Sequence, residues 1–222
     1  QGIIFAGCRP GAIFKTRDGG HRWEKKPAHF VKEGMFGGPT RVLVMAVDPT
    51  DNRIVWAGVE ADGIRRSLDG GETWDRINWD ITDNDLHGLA IVPSSKNTVF
   101  ASSNTEIFVS ADVGESWTPL GIRDSFPTLK SCRHIAVKTD DPKVLFLGLG
   151  DTDNGVAGTV ARSSDRGKTW EGLQLPVEPN TPIWNLAVHP SDPNIVVCTS
   201  HYGQIFISED AGESWRKAPR EF

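Results

Sequence analysis

Short runs of apolar and β-branched residues, separated by turn-forming residues, dominate the 222-residue chain. One set of runs shares an Ala followed by Val or Ile, and turns rich in Pro, Asp and Asn connect it to a second set. The first set occupies residues 42–47, 86–92, 132–137 and 183–188, and the second occupies residues 2–5, 53–56, 97–100, 143–146 and 194–197. Runs of this kind are typical of β-strands, and no segment shows a persuasive helical period. The pattern predicts an all-β chain.

A motif of eight residues recurs five times between these runs, and each copy reads (Ser/Thr)-x-Asp-x-Gly-x-x-Trp. Its aspartates are Asp18, Asp69, Asp112, Asp165 and Asp210, and its tryptophans are Trp23, Trp74, Trp117, Trp170 and Trp215. Successive copies lie 43 to 53 residues apart. A period of about 45 residues is typical of stacked or radially arranged repeats.

The residue types of the motif predict a tight turn between two strands. The Asp side chain can accept hydrogen bonds from backbone N–H groups of its own turn, and the Gly two residues later can take a positive φ. The Trp begins the next strand and can cover the turn, burying a large apolar surface against the neighbouring repeat. We therefore expect the motif Asp and Trp residues to be structural.

Each repeat accommodates four short strands, named A to D from inner to outer, with the motif at the turn between strands C and D. Four-stranded units at this spacing describe the blades of a β-propeller. We predict a single propeller domain over residues 1–222, with repeats at about 1–40, 41–84, 85–130, 131–181 and 182–222. The first repeat has no strand A in this sequence.

The motif and its strand order resemble the Asp-box (BNR-repeat) propellers, which include sialidases, xyloglucan-active glycosidases, sortilin-type receptors and photosystem assembly factors. The chain most resembles uncharacterised bacterial members labelled BNR-repeat or glycosyl-hydrolase-like. The resemblance covers nearly the whole chain and implies about six to eight blades, so we expect a fragment or a protomer completed by oligomerisation. It also implies that the motif turns lie on the lower face and the ligand site on the upper face, among the B–C and D–A loops.

Polar and aromatic residues replace apolar ones at the upper end of strand A, where a central funnel would open. These residues are His87, Arg133, His134, Trp184 and Asn185. The B–C loops add Arg9, Glu60, Asp62, Asp151, His201 and Tyr202. The B–C loop of the fourth repeat is longer than the others, and elaborated loops on one face of a regular scaffold usually carry binding. We expect a small molecule, a glycan or a protein to bind this funnel.

Two glycosidase chemistries can be compared with these residues. A sialidase would use Tyr202 as its nucleophile and arginines such as Arg133 for the substrate carboxylate, but the sequence has 1 Tyr and no arginine cluster. A glycosidase with a carboxylate pair needs two acids about 5 to 9 Å apart, one of them with a raised pKa. Its candidates are Glu60, Asp62, Asp151 and Asp153.

A divalent metal is the one cofactor that the residues suggest. His87, His134 and His201, with Glu60, have suitable donor atoms, and a bound metal would support hydrolase or lyase chemistry as a Lewis acid. No close spacing motif accompanies them. The sequence therefore favours a ligand- or protein-binding propeller, and a glycosidase-like, sialidase-like or metal-assisted hydrolase or lyase is the alternative.

Composition and charge further limit the functional class and the cellular compartment that the sequence favours. The formal net charge of −5 and the lack of a Lys/Arg block argue against nucleic-acid binding, and no apolar run approaches the ~20 residues of a membrane-spanning helix. The 3 cysteines lie far apart, which fits free thiols in a reducing, cytoplasmic compartment. Outside the motif, Trp56 aligns with predicted core positions, which leaves Trp79 and Trp184 as candidate ligand contacts.

Overall fold

The computed structural model describes residues 2–34, 37–77, 79–92 and 98–219. Its contacts divide the chain into two compact units, one formed by Gln1–Ala101 and Phe108–Thr118 and the other by Ser102–Ile107 and Pro119–Phe222. Within the described residues, five antiparallel sheets follow one another, and the strands of each sheet pair in chain order. The predicted all-β fold class is confirmed, and the sheets are blades of the propeller type.

The first sheet has three strands, as the missing strand A predicted, and the next two sheets have four. The first contains β1 (Ile4–Cys8), β2 (Ala12–Thr16) and β3 (Glu24–Lys26). The second contains β4 (Arg41–Val47), β5 (Val55–Glu60), β6 (Gly63–Ser67) and β7 (Asp75–Arg76). The third, whose residues are divided between the two units, contains β8 (Leu86–Val92), β9 (Thr98–Ser103), β10 (Ile107–Ser110) and β11 (Thr118–Pro119).

The second unit holds two more four-stranded sheets. They are preceded by a four-residue helix, α1 (Ile122–Ser125), which the sequence pattern did not predict. The fourth sheet contains β12 (Ser131–Val137), β13 (Leu145–Gly150), β14 (Gly158–Ser163) and β15 (Glu171–Gly172). The fifth contains β16 (Ile183–Val188), β17 (Val196–Ser200), β18 (Ile205–Ser208) and β19 (Arg216–Lys217). No helix in the described part of the chain is long and apolar enough to cross a membrane.

The motif turns form the hydrogen bonds that their residue types predict. In the second sheet, Asp69 Oδ1 accepts from the backbone N–H of Thr73 at 3.0 Å, and Asp69 Oδ2 accepts from the Thr73 hydroxyl at 2.6 Å. The Ser67 hydroxyl donates to Asp69 and accepts from the Gly71 N–H. The backbone part of this pattern recurs at Asp18, Asp112, Asp165 and Asp210. The turn is therefore closed by the Asp side chain.

Two consecutive residues of each motif turn have positive φ, whereas the sequence predicted one. The predicted residue is always Gly, with φ between 82° at Gly167 and 102° at Gly20. The residue before it also lies in the left-handed region, and it is Gly19, Gly70, Val113, Arg166 or Ala211. The left-handed region is unfavourable for a residue with a Cβ atom, so the last three turns carry backbone strain that the first two avoid.

The motif glycine lies against an aromatic ring of the preceding sheet. In the first unit, a Cβ added to Gly71 would lie 2.3 Å from the Phe5 ring, and one added to Gly114 would lie 2.9 Å from the Trp56 ring. In the second unit, a Cβ on Gly212 would lie 3.0 Å from Phe146. The motif therefore requires Gly for close packing between neighbouring sheets as well as for its φ angle.

The motif tryptophans pack on the preceding sheet in the first unit, with one exception. Trp74 meets Phe5 edge to face with ring centroids 6.4 Å apart, and Trp117 meets Trp56 in the same way at 6.3 Å. Trp74 and Trp117 are each 5% exposed, and Trp56 is fully buried, which confirms its core position. Trp23, however, is 42% exposed.

A cation on strand C, the strand that precedes the motif turn, reaches the motif turn of the following sheet in three places. The cation lies three residues before one motif Asp, and its Glu partner lies three residues after the next. The pairs are Lys15–Glu72 at 2.5 Å and Arg66–Glu115 at 2.8 Å in the first unit, and Arg162–Glu213 at 2.5 Å in the second. Each cation also donates to a backbone carbonyl of the same turn. These pairs join consecutive sheets, and the predictions made from the strand and motif patterns did not include them.

We predict that Ala211→Gly stabilises the protein. Ala211 has a φ of 58°, and relief of the left-handed strain should raise the free energy of unfolding by about 1 kcal/mol. Denaturant unfolding of the two proteins measures the change. The matched control is Ala218→Gly, which lies outside the positive-φ residues and should lower stability slightly. A decrease of equal size in both variants would contradict the strain assignment.

We also predict acid destabilisation through the motif aspartates. Hydrogen bonds from the Ser116 hydroxyl and backbone N–H lower the pKa of Asp112 to about 2, below the unfolded value of about 3.9. A carboxyl with a lowered folded pKa stabilises the protein above the unfolded pKa, and this contribution is lost as the pH falls through the folded pKa. The denaturant concentration at the unfolding midpoint should therefore decrease as the pH is lowered from about 4 to about 2. This decrease should be smaller in Asp112→Asn. Ser116→Ala, which removes one donor to Asp112 and keeps its carboxyl group, should give an intermediate slope.

Candidate functional site

Three of the strand A candidates, Arg133, His134 and Trp184, lie at β-bulges that the sequence did not predict. The ladder register shifts between Val42 and Val44 in β4, between Cys132 and Ile135 in β12, and between Ile183 and Asn185 in β16. The residues inside these shifts are Leu43, Arg133 with His134, and Trp184. A bulge leaves its extra residue out of the ladder and redirects the side chain. Arg133, His134 and Trp184 are therefore bulged residues, whereas Asn185 pairs with Thr199 in the ladder.

Four predicted residues of the second unit form one continuous series of contacts. The Arg133 guanidinium carbon lies 4.2 Å from the centroid of the Trp184 ring. The Trp184 and His201 ring centroids are 4.1 Å apart, and those of His201 and Tyr202 are 5.4 Å apart. We call these four residues the aromatic stack. Tyr202 is 61% exposed and Arg133 is 1% exposed, so the stack leads from a buried cation to an exposed phenol ring.

The long B–C loop of the fourth sheet fixes the buried end of the stack. Arg133 Nη2 donates to Asp153 Oδ1 at 2.7 Å, and the Ser131 Oγ atom lies 3.1 Å from the same oxygen and 3.0 Å from Asn104 Oδ1. The Asp153 side chain is 49% exposed, whereas that of Arg133 is 2% exposed. The loop therefore places a half-exposed carboxylate beside the stack, held by the Arg133 guanidinium.

Asp151, a predicted catalytic candidate, holds its own loop together. Its two carboxylate oxygens accept from the backbone N–H groups of Ala157 and Val156 at 3.3 Å each. Burial raises the pKa of Asp151, but hydrogen bonds from the N–H groups of Ala157, Thr152 and Val156 outweigh burial and leave the pKa below its ordinary value. A Cβ on Gly155 would lie 1.6 Å from Asp151 Oδ1. The loop is therefore built closely around this carboxylate.

The remaining candidates of the second unit lie on the same strands without joining the stack. His134 is half-buried and Asn185 is exposed. Burial lowers the pKa of His134, which keeps its imidazole neutral at pH 7. Neither residue makes a side-chain hydrogen bond or a ring contact with the stack within the described part of the chain. The Tyr202 N–H donates to the Thr181 hydroxyl at 3.2 Å, which fixes the loop carrying the exposed ring.

In the first unit, Arg9 and Glu60 line a cleft of about 140 Å³. The other lining residues are Gly34, Gly37, Gly38, Pro39, Thr40, Arg41 and Ala61. Arg41 and Glu60 form an ion pair in which the Nε and Oε2 atoms are 2.6 Å apart. Arg9 is exposed at the turn between β1 and β2. We call this feature the arginine cleft.

Asp62, predicted to contact a ligand, is fully buried and serves another purpose. Its Oδ2 atom accepts from Arg65 Nη2 at 2.6 Å and from the backbone N–H of Val31 at 3.0 Å. Arg65 is 2% exposed and also donates to the carbonyls of Ala28 and His29. Burial lowers the pKa of Arg65, and the charge of Asp62 opposes this shift. The pair binds the long connection between the first two sheets, because buried charges need partners.

The proposed metal ligands are divided between the two units. His87 lies in the first unit and is paired with Asp85, their Nε2 and Oδ2 atoms 3.3 Å apart. His134 and His201 belong to the second unit. Among the residues that the structure describes, no three His, Cys, Asp or Glu side chains form a group that could hold a metal ion. The predicted grouping of these histidines is therefore not found.

We predict that Asp62→Ala strongly destabilises the first unit. The substitution leaves the buried Arg65 guanidinium without its carboxylate, and the loss of one partner of a buried pair costs about 3 kcal/mol or more. Denaturant unfolding measures this cost, and faster hydrogen exchange at the Val31 amide should accompany it. The control is Asp51→Ala, which breaks the exposed pair with Arg53 and should cost less than about 1 kcal/mol. Equal costs would contradict the role of burial.

Comparisons with known proteins give relatives among glycoside hydrolases and structural neighbours with the same fold. No family model matches the chain. Xyloglucanase Xgh74A from Acetivibrio thermocellus is 28% identical over 252 residues, an alignment that covers 93% of this chain and 28% of the xyloglucanase. The crystal structure of the GH74 enzyme from Niastella koreensis matches with a TM-score of 0.74 and 20% identity, over 97% of this chain and 36% of that enzyme. A structure of YCF48 bound to D1 peptide matches with a TM-score of 0.56 and 16% identity, over 98% of this chain and 78% of that one.

These similarities confirm the propeller fold and change the balance between the functional interpretations. The chain spans 28% of the length of this xyloglucanase. The relatives support the hydrolase alternative better than the ligand- or protein-binding interpretation that the sequence favoured. The Asp-box family and the sialidase-like character stay predictions. What is established is that the chain is similar to xyloglucanases in sequence and to propeller proteins in fold.

Proposed function

We propose that this chain is the glycan-binding part of a glycoside hydrolase that acts on xyloglucan or a similar β-glucan. The observation that carries the proposal is the aromatic stack, which ends in a solvent-exposed ring. A pyranose ring presents a flat face of C–H groups, and such a face packs well on an aromatic ring. The similarity to xyloglucanases over 93% of the chain supports a glucan as the ligand whose pyranose rings pack on the stack.

The construction of the stack suits a binding surface because its parts are fixed before a ligand arrives. Trp184 stands on a strand bulge and is held by the buried Arg133 guanidinium. His201 and Tyr202 follow on a loop anchored by backbone hydrogen bonds to Pro182 and Thr181. Preorganised groups lose little conformational entropy on binding, so even a shallow surface of this kind can bind a sugar measurably.

Polar groups beside the stack can bind the sugar hydroxyls. Asp153 is half exposed and keeps acceptor capacity beyond its bonds to Arg133 and Ser131. Asn185, exposed on β16, offers both a donor and an acceptor. Aromatic stacking with a few oriented polar groups is the usual composition of a small-ligand site, so these residues fit a neutral, hydroxyl-rich ligand.

The proposal assigns binding, and not bond cleavage, to this chain. Hydrolysis by a carboxylate pair requires one protonated and one ionised carboxyl group about 5 to 9.5 Å apart. Asp151 is engaged by its own loop amides, and its pKa is lowered, which is the opposite of what a general acid needs. Asp153 is committed to Arg133. Both carboxylates are therefore engaged within the protein, and binding is the role that these residues support.

We predict that Tyr202→Ala weakens binding of a xyloglucan oligosaccharide about three- to tenfold, because it removes the exposed ring of the stack. Calorimetric titration of the wild-type chain and the variant measures the change. Tyr202→Phe should keep most of the affinity, since it retains the ring and loses the hydroxyl. Leu68→Ala is the control, because Leu68 is 52% exposed and lies in a motif turn of the first unit, outside the stack.

Thermal unfolding of each variant accompanies the titration. Tyr202 is largely exposed, so its removal should leave the midpoint unchanged, and a loss of affinity can then be assigned to the ligand contact. Failure of the wild-type chain to bind the oligosaccharide would overturn the proposal. Equal binding by the wild-type chain and Tyr202→Ala would overturn the assignment of the site to the stack.

A further inference from the structure

We propose that the arginine cleft of the first unit binds the carboxylate of an acidic sugar, a hexuronate residue of a glycan. The inference rests on the proposed function for the class of ligand, but it uses none of the residues of the aromatic stack. The cleft measures about 140 Å³, well below the several hundred Å³ of a drug-sized site. A cleft of this size takes one sugar residue and leaves the rest of a chain outside.

Arg9 supplies the group that would bind the carboxylate. Its guanidinium makes no hydrogen bond or ion pair with any residue in the described part of the chain, whereas Arg41 across the cleft is paired with Glu60. One Arg9 Nη atom lies 3.2 Å from the position that a Cβ on Gly38 would occupy, so the guanidinium lies along the glycine-rich wall of the cleft. An arginine binds a carboxylate through two parallel charge-assisted hydrogen bonds.

The walls of the cleft are closely packed. A Cβ on Gly34 would lie 2.9 Å from the Ala61 Cβ, and a Cβ on Gly11 would lie 2.6 Å from the Thr40 hydroxyl. The Thr40 hydroxyl donates to the Val31 carbonyl, and the Val31 N–H donates to the buried Asp62. Val31 and Thr40 are therefore linked to the buried Asp62 of the second sheet.

The charges of the cleft favour a sugar acid over a simple carboxylate. Arg9, Arg41 and Glu60 leave an excess of one positive charge, in a chain whose formal net charge is −5. The Glu60 carboxylate repels any anion, but it accepts hydrogen bonds from hydroxyl groups. Its side chain is 25% exposed and is oriented by Arg41. A hexuronate satisfies both groups at once, because it carries a carboxylate for Arg9 and hydroxyls for Glu60.

Titration of the 222-residue chain with glucuronate, glucose and acetate tests this assignment. We expect glucuronate to bind at least about tenfold more tightly than either other compound, because only glucuronate has both the charge and the hydroxyls. Added salt should weaken glucuronate binding, since part of it is electrostatic. Equal binding of glucuronate and glucose would overturn the role of the carboxylate. Equal binding of glucuronate and acetate would overturn the identification of a sugar.

The residue assignment is tested with Arg9→Met, which removes the guanidinium and keeps an unbranched side chain. We expect glucuronate affinity to fall about tenfold or more, with an unchanged thermal midpoint because Arg9 is exposed. The matched control is Arg22→Met, an exposed arginine in the motif turn at the other end of the strands, which should bind glucuronate as the wild type does. Equal affinity of Arg9→Met and wild type would overturn the proposal.

A xyloglucan oligosaccharide separates this inference from the proposed function. Arg9→Met should bind that neutral ligand as well as the wild type does, while Tyr202→Ala should lose it and keep glucuronate. Loss of both ligands in Arg9→Met at an unchanged thermal midpoint would show a single shared site and overturn a separate arginine cleft.

Discussion

The contact between a motif glycine and an aromatic ring of the preceding sheet is the constraint on which this architecture depends. Because Gly71 and Gly114 lack a Cβ, the Phe5 and Trp56 rings can lie directly against the following turns. The same residues must adopt positive φ, so the turn conformation and the packing between sheets both require Gly at this position. An added methyl group would force neighbouring sheets apart, and tightly packed interiors tolerate such volume poorly.

Ion pairs reinforce this packing, and they could have been predicted from the sequence. Wherever a motif has Glu three residues after its Asp, in the second, third and fifth copies, the preceding repeat has Lys or Arg three residues before its own Asp. The fourth copy has Lys168 at the Glu position, and the preceding repeat has Val109 at the cation position. The charges at the cation position of one repeat and at the Glu position of the next repeat therefore vary together. This relation between charges is not visible within a single repeat. It becomes visible when each repeat is compared with the one that follows it.

The candidate site shows where a sequence pattern stops being informative. Aligning strand A identified Arg133 and Trp184 as unusual, but not that a bulge turns Arg133 inward to hold Trp184. Asp62 and Glu60 looked equivalent as loop acids. One is fully buried with Arg65, and the other lines an open cleft. Burial depends on which distant segment covers a residue, and here the connection carrying Ala28 and Val31 covers Asp62. Such long-range packing leaves no periodic trace in the sequence.

The sequence by itself determined the strands, their grouping into blades and the hydrogen bonding of the motif turns. These features depend on interactions within a few residues, and their repetition along the chain makes them recognisable in the sequence. Only the tertiary structure decided which polar residues meet. The stack from Arg133 to Tyr202 and the cleft between Arg9 and Glu60 each join residues from separate repeats or loops. Their geometry follows from sheet packing and from bulges, and both depend on the whole of a unit rather than on a local segment.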